Sequence, residues 1–188
     1  VPLVYADWIA SGRLYGPIEE RMFHIAYPYV ANTHSESSAL GASMTRAYHE
    51  ARRRIKTHVH AGPDDVLITA GSGMTGAVNK LQRILGLRIP ERARGLCGRG
   101  NCEIPEAARP VVFITHMEHH SNHTSWLESF ADVVILEPDE NLMVQCEELE
   151  KQLKHYAKRP VKIGAFSAAS NVSGIRPPYR DLDRLIHR

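Results

Sequence analysis

Histidines are concentrated in the middle of the chain, directly after an apolar run. The run Val111-Val112-Phe113-Ile114 leads into a segment with four histidines, which are His116, His119, His120 and His123. Such a run predicts a buried strand, and ligands of open α/β sheets lie beyond the carboxyl ends of their strands. Imidazoles at that place suggest one of two chemistries: a metal site, or a ring that lies flat against an aromatic cofactor.

The spacing of these histidines keeps the metal alternative open. Pairs three and four residues apart would lie on one face of a helix, where they could bind zinc. The neighbouring carboxylates Glu118 and Glu128 do not complete a pattern such as His-Glu-x-x-His. A zinc-dependent hydrolase that uses His116 and His120 therefore stays an alternative, and so does a plain surface or capping role for each histidine.

Small residues between a predicted strand and a predicted helix form a second candidate site. The stretch Thr69-Ala70-Gly71-Ser72-Gly73-Met74-Thr75-Gly76 would let a helix amino terminus approach an anion closely. It lacks the Gly-Lys-Ser/Thr ending of a Walker loop, and no acidic residue follows a second strand as a dinucleotide fold requires. The stretch predicts a phosphate cradle, with a tight turn that binds nothing as the alternative.

Two polar segments complete the candidate set. Ser170-Asn171-Val172-Ser173-Gly174 follows a predicted strand, so the amide of Asn171 would lie at the same sheet edge and could donate to a ligand oxygen. Ala31-Asn32-Thr33-His34 precedes a predicted helix, which Ser35 or Ser37 could cap. Each segment is equally compatible with an ordinary turn.

Strands and helices alternate in the predicted order of elements. This order predicts an α/β fold with three α/β/α layers and a mostly parallel sheet. The predicted strands are residues 65–69, 111–114, 133–136 and 161–166. The predicted helices are residues 37–59, 75–85, 121–130, 142–156 and 179–188, and residues 88–109 are predicted to form a long loop.

Composition excludes several classes of protein. The 188 residues carry a net charge of +2, which is too small to indicate nucleic acid or an anionic membrane as a partner. No apolar run approaches the ~20 residues that span a bilayer, and the start lacks the pattern of a secretory signal. The odd cysteine count indicates a reducing, cytoplasmic location; Cys97 and Cys102 are expected in an exposed loop, with a labile disulfide or metal as the alternative.

Taken together, these segments resemble the class V aminotransferase family, which includes the cysteine desulfurases. Five features of the family are similar to stretches of this chain: an opening tyrosine-aspartate segment, an N-x-H loop, a small-residue phosphate loop, an EHH-x-N…W motif and an SN-x-x-G motif. The corresponding stretches here are Tyr5-Ala6-Asp7, Asn32-Thr33-His34, Ala70-Gly71-Ser72-Gly73-Met74-Thr75, Glu118-His119-His120-Ser121-Asn122 with Trp126, and Ser170-Asn171-Val172-Ser173-Gly174. Nearly the whole chain is covered.

The resemblance implies the large domain of an aspartate-aminotransferase-like enzyme that uses pyridoxal 5'-phosphate (PLP). Gly73, Met74 and Thr75 would hold the cofactor phosphate. His119 would stack on the pyridine ring as a catalytic residue, and Asn171 would bond the ring hydroxyl oxygen. A substrate or dimer loop would be formed by Ala10, Asn32 and His34.

The resemblance also implies an organisation and partners. Residues 1–36 would form the amino-terminal segment with the substrate or dimer loop, and residues 37–188 the first half of the PLP-binding domain, truncated before the cofactor-binding lysine. The family's Ser-x-His-Lys context is not found at any lysine here. We therefore expect an inactive fragment of an enzyme acting on an amino acid, paired as a homodimer or with its missing carboxyl-terminal half. A non-catalytic assembly module that uses the loop of residues 88–109 is the remaining alternative.

Overall fold

The computed structural model describes residues 1–8, 10, 12–71, 73–90, 92 and 104–188. The predictions for Cys97 and Cys102, and for most of the 88–109 loop, fall outside these residues. The chain forms two compact units, Val1–Thr69 and Ala70–Arg188. The predicted division at residue 36 stays a prediction. No helix in the described ranges has the length and hydropathy needed to cross a bilayer.

The first unit is helical. It contains helix α1 (Gly16–Arg21), a π-helical turn (Met22–Ala26), a 3-10 turn (Tyr27–Tyr29) and the long helix α2 (Ala39–His58). Helix α2 begins close to the predicted start, because the Ser38 hydroxyl accepts a bond of 3.1 Å from the Gly41 amide and caps the first turn. Basic residues in its last turn lie at the negative end of the helix dipole.

The predicted strand at residues 65–69 is wrong, because these residues pair with no strand in the described part of the chain. Their β-branched side chains favour an extended backbone, but a strand also needs a hydrogen-bonded neighbour. Here the Lys56 ammonium donates to the carbonyl of Asp65 at 2.7 Å, and Val66 is 77 % exposed. Extended residues without a partner strand remain a connecting segment.

The second unit contains a parallel sheet of three strands, β1 (Val111–Thr115), β2 (Asp132–Leu136) and β3 (Lys162–Ala165), in the order β2-β1-β3. These three strands confirm the predictions for this part of the chain. The sheet is flanked by helices α3 (Gly73–Ile84), α4 (His120–Leu127), α5 (Cys146–His155) and α6 (Tyr179–Ile186).

Alternating side chains of the central strand β1 fill two separate cores. Val111 and Phe113 pack against α5 and α6 through Leu149 and Leu182, whereas Val112 and Ile114 pack on the other face of the sheet with Trp126 of α4. All five residues of β1 are buried, as expected of a strand covered on both faces. The predicted three-layer α/β/α arrangement is therefore confirmed.

Helix α5 begins four residues later than predicted, because Asp139 organises a tight turn before it. The carboxylate of Asp139 accepts bonds from the amides of Asn141 and Met143 at 2.9 and 2.8 Å, and from the side chain of Gln145 at 2.7 Å. These bonds lower the pKa of Asp139, the amide of Met143 having the largest effect. Leu142 adopts a φ of +60° in this turn and Val144 pairs with Pro138 in an antiparallel bridge, so the backbone of residues 142–144 is not helical.

A buried guanidinium fixes the amino edge of the sheet. Arg159 is 8 % exposed and lies 2.5 Å from the carboxylate of Asp132, the first residue of β2. It also donates to the backbone carbonyls of Glu106 and Arg109, in the segment that leads into β1. This ion pair lies at the end of the strands opposite to the candidate site.

Candidate active site

A carboxylate stands at the centre of the carboxyl edge of the sheet. Glu118 follows β1, is 9 % exposed, and accepts four hydrogen bonds. Oε1 accepts from the Thr115 hydroxyl and the Ser167 amide, each at 2.8 Å. Oε2 accepts from the Asn122 side chain at 2.7 Å and from the Ser167 hydroxyl at 2.6 Å. Glu118 thereby connects the end of β1, the first turn of α4 and the segment after β3.

The Asn122 side chain extends this network into the core. Its amide nitrogen also donates to the carbonyl of Ala165 at 3.2 Å, and its oxygen accepts from the indole of Trp126 at 2.9 Å. Both Asn122 and Trp126 are buried. Every hydrogen-bonding group of the Asn122 side chain therefore has a partner, which fixes α4 against the end of β3.

His119 caps helix α4. Its Nδ1 accepts from the Ser121 amide at 3.2 Å and lies 2.8 Å from the Ser121 hydroxyl. Its ring is exposed, and it lies 6.2 Å from the ring of His120 between centroids. These bonds hold the imidazole in one orientation while its ring remains accessible.

The small-residue loop leads directly into helix α3. Gly71 and Gly73 have φ of +54° and +70°, a conformation that residues with side chains rarely adopt. Helix α3 begins at Gly73, so the amides of Gly73, Met74 and Thr75 belong to its first turn and have no acceptor within the helix. The Ser121 hydroxyl lies 3.9 Å from the sulfur of Met74, which brings this helix start next to the His119 turn.

A buried amide holds α3 and α4 in register. Gln82 of α3 is fully buried and donates from Nε2 to the Ser125 hydroxyl of α4 at 3.1 Å. Its Oε1 has no hydrogen-bond partner within the described residues. Burial of an amide oxygen without a hydrogen-bond partner is costly. We infer that packing between α3 and α4 holds the Gln82 side chain in this position.

Asn171 lies at the tip of an exposed turn after β3. Ser170 holds the turn, because its backbone bonds to Ile175 at 2.8 Å and its hydroxyl accepts from the amides of Val172 and Ser173. The Asn171 side chain makes no hydrogen bond within the described residues. Together with His116 and Glu118 it lines a cavity of about 310 Å³, whose apolar walls include Leu142 and Ile175.

The predicted loop residues Ala10, Asn32 and His34 lie in the first unit. The Ala10 amide donates to the carboxylate of Asp7 at 3.1 Å, and Asn32 is exposed. His34 adopts φ of +65°, and its ring packs edge to face on Tyr48 at 5.7 Å. The first unit thus contains the predicted substrate or dimer loop, and the second unit contains the predicted cofactor-binding residues.

Only two of the four histidines, His120 and His123, lie in helix α4. Helix α4 begins at His120, so His119 caps it and His116 precedes it. His116 therefore does not share a helical face with His120, because the bonds of Glu118 shape a turn at this place. Within the described ranges, no group of three or more histidine, cysteine or acidic side chains is placed to hold a metal ion.

Sequence reasoning considered Glu118 as a metal ligand and as part of the family motif, and it assigned no role to Ser167. The distances show that Glu118 is instead an internal acceptor. The Thr115-x-x-Glu118 spacing, which is typical of capping boxes, is the one signal that could have pointed to a local bond. The contact with Ser167 spans 49 residues and leaves no local signal.

Comparisons with known proteins agree with this geometry. The family model "Aminotransferase class-V" matches residues 105–188. A probable cysteine desulfurase from Halalkalibacterium halodurans is 27 % identical over 100 % of this chain and 42 % of its own length. Another from Chlamydia trachomatis is 35 % identical over 42 % of this chain and 20 % of its own length. The chain thus spans less than half of the curated relatives it matches.

A solved structure shows the same fold. The apo cysteine desulfurase from Thermococcus onnurineus NA1 superposes with a TM-score of 0.62 at 20 % identity, over 91 % of this chain and 38 % of that one. The parallel sheet with helices on both faces is therefore a partial domain of the cysteine desulfurase fold. The chain is therefore similar to the class V aminotransferase family over residues 105–188 and to probable cysteine desulfurases along its length, and it shares the fold of a solved cysteine desulfurase.

Proposed function

We propose that this chain forms the cofactor-binding part of a PLP-dependent enzyme that acts on an amino acid. The observation that carries the proposal is the contact of 3.9 Å between Ser121 and Met74, which joins the start of α3 to the His119 turn. An anion site and an aromatic platform at one sheet edge suit a phosphorylated, flat cofactor. The relatives named as probable cysteine desulfurases support the same class of enzyme.

The first turn of α3 fits a phosphate group. Gly73, Met74 and Thr75 are exposed, and their amides point out of the helix at its positive end. The Thr75 hydroxyl makes no hydrogen bond within the described residues, so it is available as a further donor. We assign the phosphate to these three residues.

The histidine and asparagine fit the ring of the cofactor. The Ser121 bonds fix the His119 imidazole while leaving it exposed, as a stacking platform requires. Asn171 offers an amide beyond β3, the strand that neighbours β1. When bound, PLP supplies an electron sink for chemistry at the substrate's α-carbon.

The remaining parts of the proposal concern the complete enzyme. We assign Ala10, Asn32 and His34 to a loop that faces the substrate or the dimer partner, and we place the enzyme in the cytoplasm as a homodimer. The support for this loop is the fixed His34 ring, held edge to face by Tyr48 at 5.7 Å. Transamination and sulfur removal from cysteine are both compatible with this assignment.

Binding of pyridoxamine 5'-phosphate tests the proposal. This probe has the ring and phosphate of PLP but no aldehyde, so it cannot react with surface lysines. Titration can be followed through quenching of the fluorescence of Trp126 in a Trp8→Phe background, because Trp8 is the other tryptophan of the chain. We expect saturable binding with a dissociation constant of about 1 mM or tighter, and pyridoxamine without phosphate should bind at least about tenfold more weakly.

Two variants identify the site. His119→Ala should weaken binding of the probe about tenfold, because a stacked ring contributes about 1 kcal/mol beyond its buried area. His58→Ala is the matched control, since His58 is exposed at the end of α2. Equal loss in both variants, or no saturable binding by the wild-type chain, would contradict the proposal.

A further inference from the structure

Glu118 is a buried carboxylate whose lone pairs are all used by neutral donors. The two oxygens together can accept about four hydrogen bonds, and they accept four, at 2.6 to 2.8 Å. None of these donors is a cation. A buried carboxylate held only by hydrogen bonds is costly to desolvate. Its presence at this position indicates that the donors around both of its oxygens need an acceptor.

The identity of the donors explains why this position needs a carboxylate. The hydroxyls of Thr115 and Ser167 can rotate and either donate or accept. The backbone amide of Ser167 and the side-chain amide of Asn122 can only donate here, and they approach different oxygens of Glu118. A glutamine would turn its own NH2 group toward one of these two donors in either orientation.

The partners of Glu118 lead to both predicted ring contacts. His119 is the next residue in the chain and caps the helix that carries Asn122. Ser167 begins the segment that reaches Asn171 four residues later. Glu118 and Asn171 line the same cavity of about 310 Å³. The carboxylate therefore fixes the two segments relative to each other.

We propose that Glu118 is the positioning residue of the cofactor site, which sets the spacing between the His119 ring and the Asn171 amide. This inference rests on the proposed function. It assigns no chemistry to Glu118 itself, whose oxygens have no free lone pair for a ligand. Its role is to keep the site preformed before the cofactor arrives.

Three variants of the full chain test the role. Glu118→Gln replaces one acceptor oxygen by an NH2 group, which then faces the amide of either Ser167 or Asn122. Glu118→Gln with Asn122→Asp reverses donor and acceptor between these two side chains. The aspartate introduced by the second substitution can still accept from Trp126 but loses the bond to the Ala165 carbonyl. Glu128→Gln is the matched control, because Glu128 is exposed at the end of the same helix.

Two measurements separate this inference from the proposed function. The first is hydrogen exchange of the Ser167 amide in the free protein, which reports its bond to Glu118 without any ligand. The second is the dissociation constant for pyridoxamine 5'-phosphate. Glu118→Gln should raise the exchange rate of the Ser167 amide and the dissociation constant of the probe, each about tenfold. The double variant should reverse at least about half of each change on a logarithmic scale.

Each outcome decides something. If the wild-type chain binds the probe and Glu118→Gln binds it equally well, the positioning role is wrong while the proposed function stands. If the wild-type chain does not bind the probe, both fall, even where the exchange of Ser167 changes. Recovery of binding in the double variant, with the Glu128→Gln control unchanged, supports the role, because a merely damaged fold would not recover after a second substitution.

A milder substitution covers the case in which Glu118→Gln does not fold. Ser167→Ala removes only the hydroxyl donor at 2.6 Å and keeps the backbone amide bond to Glu118. We expect binding of the probe to weaken about threefold, since one of four hydrogen bonds is lost. Unchanged binding and unchanged exchange of the Asn122 side-chain amide in this variant would overturn the inference.

Discussion

The backbone amide of His34 donates to the hydroxyl of Thr45 at 3.0 Å, and the same hydroxyl donates to the carbonyl of Gly41 at 2.8 Å. One threonine therefore joins the loop before α2 to the first turns of that helix. His34 has a positive φ, which non-glycine residues adopt only when their surroundings impose it. The bond to Thr45 is part of what holds it there.

Replacement of Gly41 by alanine is predicted to disturb this arrangement. In an ordinary helix this change stabilises by about 0.5–1 kcal/mol. Here the new Cβ would meet the carbonyl oxygen of Ser35 far inside van der Waals contact, so the loop that carries His34 must move. We expect a net loss of about 1–3 kcal/mol in the free energy of unfolding by urea, with a shift of the His34 ring signals in NMR spectra.

Gly16→Ala in α1 is the matched control for this prediction. Its Cβ would meet no atom within 4 Å, and Gly16 has no positive φ. We expect it to leave the His34 signals unchanged and to keep or slightly raise the free energy of unfolding. A stabilised Gly41→Ala variant would mean that the Ser35 carbonyl yields freely and that the loop is not held as described.

Removal of the buried guanidinium at the opposite sheet edge is predicted to cost more. Arg159→Met loses the ion pair with Asp132 and the bonds to two backbone carbonyls. The loss should be about 2–3 kcal/mol in the free energy of unfolding, because the Asp132 carboxylate and two backbone carbonyls lose a charged donor that is itself buried. The pair with Glu106 adds little, since that carboxylate is 84 % exposed.

The control for Arg159 is an exposed arginine of the same unit. Arg184→Met removes only a surface ion pair with Asp181 at 2.9 Å. Surface pairs contribute less than about 1 kcal/mol, so urea unfolding should change little. Equal losses for the two variants would show that the burial of Arg159 does not stabilise the fold.

The sequence predicted the sheet and the helices of the second unit because their apolar residues recur with clear periods. The run 111–114 is apolar on both faces, and both faces are covered. The two failures have different causes. Residues 65–69 have the composition of a strand but lack a partner strand, which is a non-local requirement. Helix α5 begins late because the local turn organised by Asp139 gives Leu142 a positive φ.

The candidate site was predictable only as a set of segments. The sequence predicted that His119 and Asn171 lie at one sheet edge, because the parallel strands before them end there together. The start of α3 lies beside them through the contact of Ser121 with Met74, although the strand predicted before α3 is wrong. The Glu118 network was not predictable, since its contact with Ser167 joins residues 49 positions apart. Whether a carboxylate faces solvent, a metal or internal donors is decided by tertiary contacts that no local pattern records.

The thiol of Cys146 is predicted to react slowly. Burial raises its pKa, and the charges of Asp181, Glu147 and Glu150 raise it further. Less thiolate is therefore present at a given pH, which is the opposite of what a nucleophilic cysteine needs. Alkylation of Cys146 by iodoacetamide, followed by peptide mass spectrometry, should lag behind that of a free cysteine peptide at about pH 8 and catch up as the pH rises.

Asp181→Asn provides the check on this charge effect. Removal of the carboxylate should lower the pKa of Cys146 and raise its alkylation rate at about pH 8 by about two- to threefold. Asp183→Asn, on the same helix, is the control, because Asp183 faces His187 at 3.4 Å. Equal rates in the wild-type and Asp181→Asn proteins would show that the charge of Asp181 does not act on the thiol.

The last prediction concerns acid and helix α2. Arg53 donates two hydrogen bonds to Glu50 and Arg54 donates one, at 2.7 to 2.8 Å, and they lower the pKa of Glu50 to about 2. A carboxylate with a depressed pKa stabilises the folded state above its unfolded pKa, and this contribution is lost as the pH falls through the folded value. The helix should therefore lose stability between about pH 4.5 and about pH 2.

Comparison with Glu50→Gln isolates this effect from the general response to acid. Urea unfolding followed by far-ultraviolet circular dichroism should separate the wild-type and variant proteins at about pH 7 and bring them together toward about pH 2. Glu36→Gln removes an exposed carboxylate outside α2 and is the control for the loss of one surface charge. Because these ion pairs are exposed, added salt should strongly reduce their stabilising effect. A difference between wild type and Glu50→Gln that does not change with pH would show that the two arginines do not stabilise α2 through the charge of Glu50.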